Sequence, residues 1–157
     1  ALKNNKALVV YLSMGFGNPY GDDWNADIVF KWVKELDKRG IKILSLSDTI
    51  GVSNPTTISY IFKNLIPEFS HLNLGAHLHT QPHNWREKVH AAYESGCRRF
   101  DGALKGYGGC PMARDELTGN MPTENMVFYF EEREEDLQLN KDHLLTSMVV
   151  AANTFPS

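Results

Sequence analysis

Apolar positions along the chain switch repeatedly between a strand-like period of two and a helix-like period near 3.6. Residues 7–13 (ALVVYLS) form a β-branched run too short for a helix, the pattern of a strand covered on both faces. GFGNPYGDDW follows, a glycine-rich turn whose Asp22 and Asp23 can cap a helix. Val29, Val33 and Leu36 then share one helical face, with Ile28 and Trp32 beside them, up to a stop at Gly40. The second unit has a strand over 41–47 (IKILSLS), with Asp48-Thr49 at its C-terminal end. Asn54-Pro55 supplies an N-cap and a first-turn proline, and Ile58, Ile61, Phe62 and Leu65 make the i, i+3, i+4, i+7 stripe that ends near Pro67.

The third strand, 72–80 (LNLGAHLHT), alternates cleanly. Leu72, Leu74, Ala76 and Leu78 fall on one face, and Asn73, Gly75, His77 and His79 on the other. Its helix carries Trp85, Val89, Ala92 and Tyr93 on one side before Gly96. A fourth strand over 98–104 (RRFDGAL) runs into a loop containing Gly106, Gly108, Gly109 and Gly119. A helix begins near Thr123 and ends in the acidic run EEREED, a solvated helix end. A final helix from about Asp142 places Leu145, Met148, Val149 and Ala152 on one side.

Alternating β and α at a spacing of about 30 residues predicts an α/β fold with parallel strands, as a single domain over residues 1–157. Two architectures fit, an open doubly wound sheet and part of a TIM barrel. The turn after the first strand matches neither the G-x-G-x-x-G nor the P-loop spacing of nucleotide-binding sheets. Asp48, His77/His79 and the Cys110 loop all fall at C-terminal strand ends, where both architectures bind ligands. Four units, with their four helices and the extra C-terminal one, make about half a barrel, since a complete one takes about 250 residues.

Composition narrows the function classes. The 157 residues are 42% hydrophobic and 22% charged, ordinary for a soluble globular protein. A net charge of -3 without a basic cluster argues against a nucleic-acid partner. No apolar segment reaches the length of a membrane span, and the first residues lack a signal-peptide design. Cys97 and Cys110 sit in unlike settings, which favours free thiols and a reducing, cytoplasmic location over a structural disulfide. Cys97, at the foot of a strand, is assigned to packing.

The chemistry concentrates on the third strand. Imidazoles at i and i+2 point the same way, about 6 to 7 Å apart along the chain, which lets His77 and His79 converge on one divalent ion. A pair of solvent-exposed or core-satisfied histidines with no ion is the alternative.

Taken together, YLSMGFGNPYGD, SLSDTIGV, GAHLHT, CRRFDGA, GGCP and LTGNMPTE resemble the hydroxymethylglutaryl-CoA lyase family, in order and through most of the chain. The resemblance implies an eight-unit TIM barrel of which this sequence matches the second half. The family's first-strand catalytic Arg and metal-binding Asp, and its second-strand Glu, have no counterpart here. The chain is therefore expected to be a C-terminal part of such an enzyme, inactive by itself. His77, His79 and Asn120 are implied as metal ligands, with magnesium or manganese as the cofactor. Cys110 is implied as the reactive thiol of a mobile loop, and Asp48 and Glu124 as acidic site positions. The implied reaction cleaves 3-hydroxy-3-methylglutaryl-CoA to acetyl-CoA and acetoacetate. Another barrel metallo-lyase, aldolase or Claisen-type synthase, or a non-catalytic half-barrel, remain as alternatives. On local chemistry alone, Asn120 also reads as a turn residue, Asp48 as an Asx-turn, Glu124 as a first-turn helix acid and Cys110 as an inert thiol. The expected partners are an acyl-CoA substrate and either a second copy or a complementary N-terminal half-barrel to close the open strand edges.

Overall fold

The computed structural model describes residues 1–109 and 118–155. Its centre is a sheet of four parallel strands, β1 (Val9–Leu12), β2 (Ile43–Asp48), β3 (Asn73–Thr80) and β4 (Arg99–Asp101), lying in chain order. Each crossover therefore steps to the next neighbour in the same direction. A doubly wound sheet reverses its order at a switch point; a barrel does not. The topology thus selects the barrel alternative, here as an open half.

The registers Val10↔Leu44↔Leu74 and Leu12↔Leu46↔Ala76↔Phe100 place these side chains on one face. Leu44, Leu46, Leu74, Ala76 and Leu78 are buried there, in one cluster with residues of α1 (Ala26–Lys38), α2 (Pro55–Glu68) and α3 (Trp85–Glu94). The opposite face carries Tyr11, Ser45, Gly75 and Arg99 in one row and Ser47, His77 and Asp101 in the next. β1 differs from expectation: Tyr11 is 46% exposed, so this strand is covered on one face only. The reason is that the barrel-interior face is polar and open on this half.

The helices follow local rules with instructive departures. α1 is capped by Asn25, whose side chain accepts from the Ile28 N–H at 3.1 Å, and not by Asp22 or Asp23. Asp22 instead closes a polar turn around Asn18. α2 starts as its sequence predicts: the Asn54 side chain accepts from Thr57, Pro55 opens the helix, and Ile58, Ile61, Phe62 and Leu65 are wholly buried. Pro67 sits inside the last turn and the helix continues to Glu68. Gly40 and Gly96 take φ of 82° and 95° after α1 and α3, a left-handed conformation that glycine adopts without steric penalty.

β4 is shorter than the strand expected over 98–104. It ends at Asp101, and residues Leu104–Gly106 wind into a 3-10 turn. A short β5 (Gly119–Asn120), absent from the sequence reading, returns antiparallel to β3 with His79↔Asn120 and Thr80↔Gly119 in register. α4 (Thr123–Glu131) then leads into the acidic turn. The last helix, α5 (Lys141–Thr154), corrects another expectation. Its apolar residues do not form a buried stripe: Leu145 and Val149 are each 61% exposed and Ala151 is the one buried position. α5 meets the 3-10 turn and, through Phe155, the ring of Tyr107, so no sheet surface covers its apolar side. Among the described residues no helix is long and apolar enough to cross a membrane.

Candidate functional site

β3 carries His77 and His79 to the C-terminal end of the sheet with their rings on the same face, centroids 5.4 Å apart. Burial lowers the proton affinity of both rings. For His77 the neighbouring Asp101 and Asp48 charges oppose that effect in part, and for His79 the His77 ring reinforces it. Both imidazoles are therefore biased toward the neutral, ligating form. The Nδ1 atoms of both are buried without a hydrogen-bond partner. Leaving a buried polar atom unpaired costs about 1–3 kcal/mol, so two adjacent orphans on one strand face mark a place where a ligand belongs.

Asn120 completes the rim. β5 brings it opposite His79, and its Nδ2 donates to the Tyr107 carbonyl at 2.9 Å and the Gly108 carbonyl at 3.0 Å. With both amide protons engaged, Oδ1 is left as the acceptor end, and the Asn120 side chain favours the protonated form of the His79 ring, as an accepting oxygen does. Two imidazole nitrogens and one amide oxygen fit one face of a divalent-ion site. Among the described residues no cluster of three His, Cys, Asp or Glu could hold a metal, so all three donors of this face are neutral. Neutral nitrogen donors suit zinc, cobalt or nickel, whereas magnesium depends on carboxylate oxygens.

Below the histidines lies a hub that the residue-by-residue reading missed. Asp101 Oδ2 accepts from Tyr11 Oη at 3.0 Å, Ser45 Oγ at 2.7 Å and Arg99 Nη1 at 3.1 Å, and its Oδ1 accepts from Arg99 Nη2 at 2.9 Å. One carboxylate thus ties β1, β2 and β4 together beside the His77 ring, against which Tyr11 packs edge-on at 5.5 Å. Arg99 lies across β3 because residue 75 is glycine; a Cβ there would come within 2.7 Å of Arg99 Nη1. Strand parity carried the signal, since Arg99 and Asp101 share a face, but only the register sets that face beside His77.

The remaining expected site residues are dispersed. Asp48 is 1% exposed and follows Leu44 and Leu46 onto the helix-covered side. Its carboxylate accepts from Lys88 Nζ at 2.9 Å, Ser53 Oγ at 2.5 Å and the Ser53 N–H at 3.0 Å, so the structure does not bring it to the histidines as a free acid. Glu124 accepts the Lys105 N–H at 2.9 Å and thereby holds the left-handed turn at that residue, where φ is 56°. Cys110 lies outside the described residues. Cys97 is buried, and burial pushes its thiol up to about 12, as expected for packing rather than chemistry.

Comparison with known proteins agrees with this fold. The chain is 32% identical to hydroxymethylglutaryl-CoA lyase YngG of Bacillus subtilis over 147 residues, 94% of this chain and 49% of that protein. It superposes on the crystal structure of the Bacillus subtilis HMG-CoA lyase with a TM-score of 0.89 at 30% identity, covering 100% of this chain and 54% of that one. An HMG-CoA lyase of Acinetobacter baumannii, solved with coenzyme A and 3-methylmalate, gives a TM-score of 0.79 at 33% identity over 92% of this chain and 47% of that one. The chain spans about half the length of the relatives it matches. The HMGL-like family model covers residues 6–151, and the chain belongs to that family.

Proposed function

We propose that this chain forms the imidazole side of the metal centre of a carbon–carbon lyase that cleaves 3-hydroxy-3-methylglutaryl-CoA to acetyl-CoA and acetoacetate. The observation that carries the reading is the pair of orphaned, buried Nδ1 atoms on His77 and His79, on the strand end that β5 pairs through His79↔Asn120. The relatives that carry this activity in their names support it. Magnesium or manganese, when bound, supplies Lewis-acid polarisation of the substrate hydroxyl and an adjacent carboxylate or carbonyl oxygen. His77, His79 and Asn120 would hold that ion. In the reaction a general base takes the proton of the tertiary hydroxyl, and the bond between that carbon and the methylene next to the thioester breaks. Acetoacetate leaves with the new ketone, and the electron pair remains on acetyl-CoA as its enolate. Cys110 returns a proton to that enolate carbon. Glu124 holds the turn from which the Cys110 loop departs.

Among the described residues the three metal donors carry no negative charge, and on this reading a complementary half-barrel supplies the carboxylate for tight magnesium binding and for turnover. A non-catalytic half-barrel is the second reading, favoured by the open edges of β1 and β4 and by an apolar groove of about 310 Å³ along the β4 side, lined by Tyr93, Phe100, Met126 and Phe130. Calorimetric titration separates the two. We expect zinc or cobalt to bind the wild-type chain and magnesium only weakly, and neither to bind once His77→Ala and His79→Ala are combined. Tight magnesium binding that survives both substitutions sinks the assignment. Cleavage of the acyl-CoA by the purified chain sinks the requirement for an outside carboxylate.

A further inference from the structure

A lysine is buried behind the metal rim. Lys88 on α3 is 1% exposed, and an ammonium is kept from water only where its donors are matched. All three are: Nζ donates to Asp48 Oδ2 at 2.9 Å, to the His79 carbonyl at 3.0 Å and to the Gly51 carbonyl at 3.1 Å. The Asp48 carboxylate is completed by Ser53, so the pair is satisfied on both sides.

The three acceptors lie on two segments that meet at the site: Asp48 and Gly51 in the turn that ends β2, closed by the Gly51 N–H to the Asp48 carbonyl at 3.1 Å, and His79 on β3. The ladder from β2 to β3 ends at Asp48↔Leu78, and that from β3 to β4 ends at His77↔Asp101. Beyond Leu78 the main chain of β3 has no parallel neighbour among the described residues, and the two-residue β5 and Lys88 bond to it there. The Gly51 bond acts on the same place from the other side. Gly51 has φ of 73°, and a Cβ there would lie 2.5 Å from the Thr118 side chain, which is buried directly before β5. The lysine therefore braces the end of β3 and the loop against which β5 is seated.

We infer that Lys88 is a positioning residue of the candidate metal centre: by pinning the His79 carbonyl and the Gly51 loop it sets the His79 ring and the β5 strand that presents Asn120. Its effect on metal binding rests on the metal reading above; its effect on the His79 ring does not. Second-sphere partners of metal ligands are worth about 10- to 100-fold in affinity.

The test uses Lys88→Met and the double variant Lys88→Met/Asp48→Asn, which leaves no buried charge unpaired. Readouts are the urea unfolding midpoint, the imidazole resonances of the metal-free protein by NMR, and cobalt affinity with its visible absorption spectrum. The double variant is expected to regain most of the stability lost by the single one. Its cobalt affinity should stay about tenfold or more below wild type, and its His79 resonances should move while those of the exposed His83 and His143 do not. A double variant with wild-type His79 resonances and wild-type cobalt affinity overturns the inference. If wild type itself fails to bind cobalt, the metal reading falls, and the His79 resonances alone decide the positioning role. If neither variant folds, the unmodified protein decides: a slowly exchanging Lys88 ammonium signal with scalar coupling to the His79 carbonyl carbon is expected, and its absence overturns the inference.

Discussion

Replacing Asp101 by asparagine keeps the shape of the hub and removes its charge. Three of the four donors, from Tyr11, Ser45 and Arg99, converge on Oδ2, and an amide oxygen placed there can keep all three. The fourth contact cannot survive, because Arg99 Nη2, now 2.9 Å from Oδ1, would face an NH2 group, donor against donor. A hydrogen bond to a charged group contributes about 1.5–3 kcal/mol when shielded. The Arg99 and Asp101 side chains are 23% and 21% exposed, which argues for the lower part of that range. Asp101→Asn should therefore destabilise the fold by about 2 kcal/mol, or about 4–8 °C in Tm for a protein of this size. Urea unfolding at pH 7, followed by circular dichroism, gives the number. A double-mutant cycle with Arg99→Met isolates the ion pair, with a coupling of about 1 kcal/mol expected. A loss below about 0.5 kcal/mol would place the pair among exposed ion pairs that contribute almost nothing, and the view of Asp101 as the pin of the open sheet face would be wrong.

Two further outcomes follow from the same geometry. His77 and His79 have folded proton affinities lowered from the ordinary 6.5, so neither state is charged above that pH and no penalty applies. As the pH falls through 6.5 the unfolded chain takes up protons that the folded rings refuse, and stability drops until the folded values are reached. Combining His77→Gln with His79→Gln should flatten that acid limb in denaturation measured between pH 7 and pH 5, and an unchanged slope would assign it to other groups. Sedimentation equilibrium at micromolar concentration should show association of the purified chain, since β1 and β4 each leave one edge without a strand partner among the described residues. A cooperative, stable monomer would refute that edge argument.

What the sequence determined by itself was local or periodic. The α2 stripe is buried as its spacing dictates, because an i, i+3, i+4, i+7 pattern has one way to hide from water once the helix forms. The shared face of His77 and His79 follows from the two-residue period of any strand. The same period, applied to Leu44, Leu46 and Asp48, already turns Asp48 away from the histidines, and Lys88 stands between Trp85 and Val89 on the apolar side of α3. Those signals were present, but a charged residue on an apolar face has meaning only when its partner is known, and the partner lies 40 residues away. Tertiary structure alone decided the rest. It paired Asn120 with His79, set Asp101 beside His77, and gave the apolar residues of α5 no surface to cover them. Periodicity states which side of an element avoids water. Which groups meet across that side depends on the order and register of strands, and these are fixed by packing free energy summed over the whole sheet rather than by any one stretch of chain.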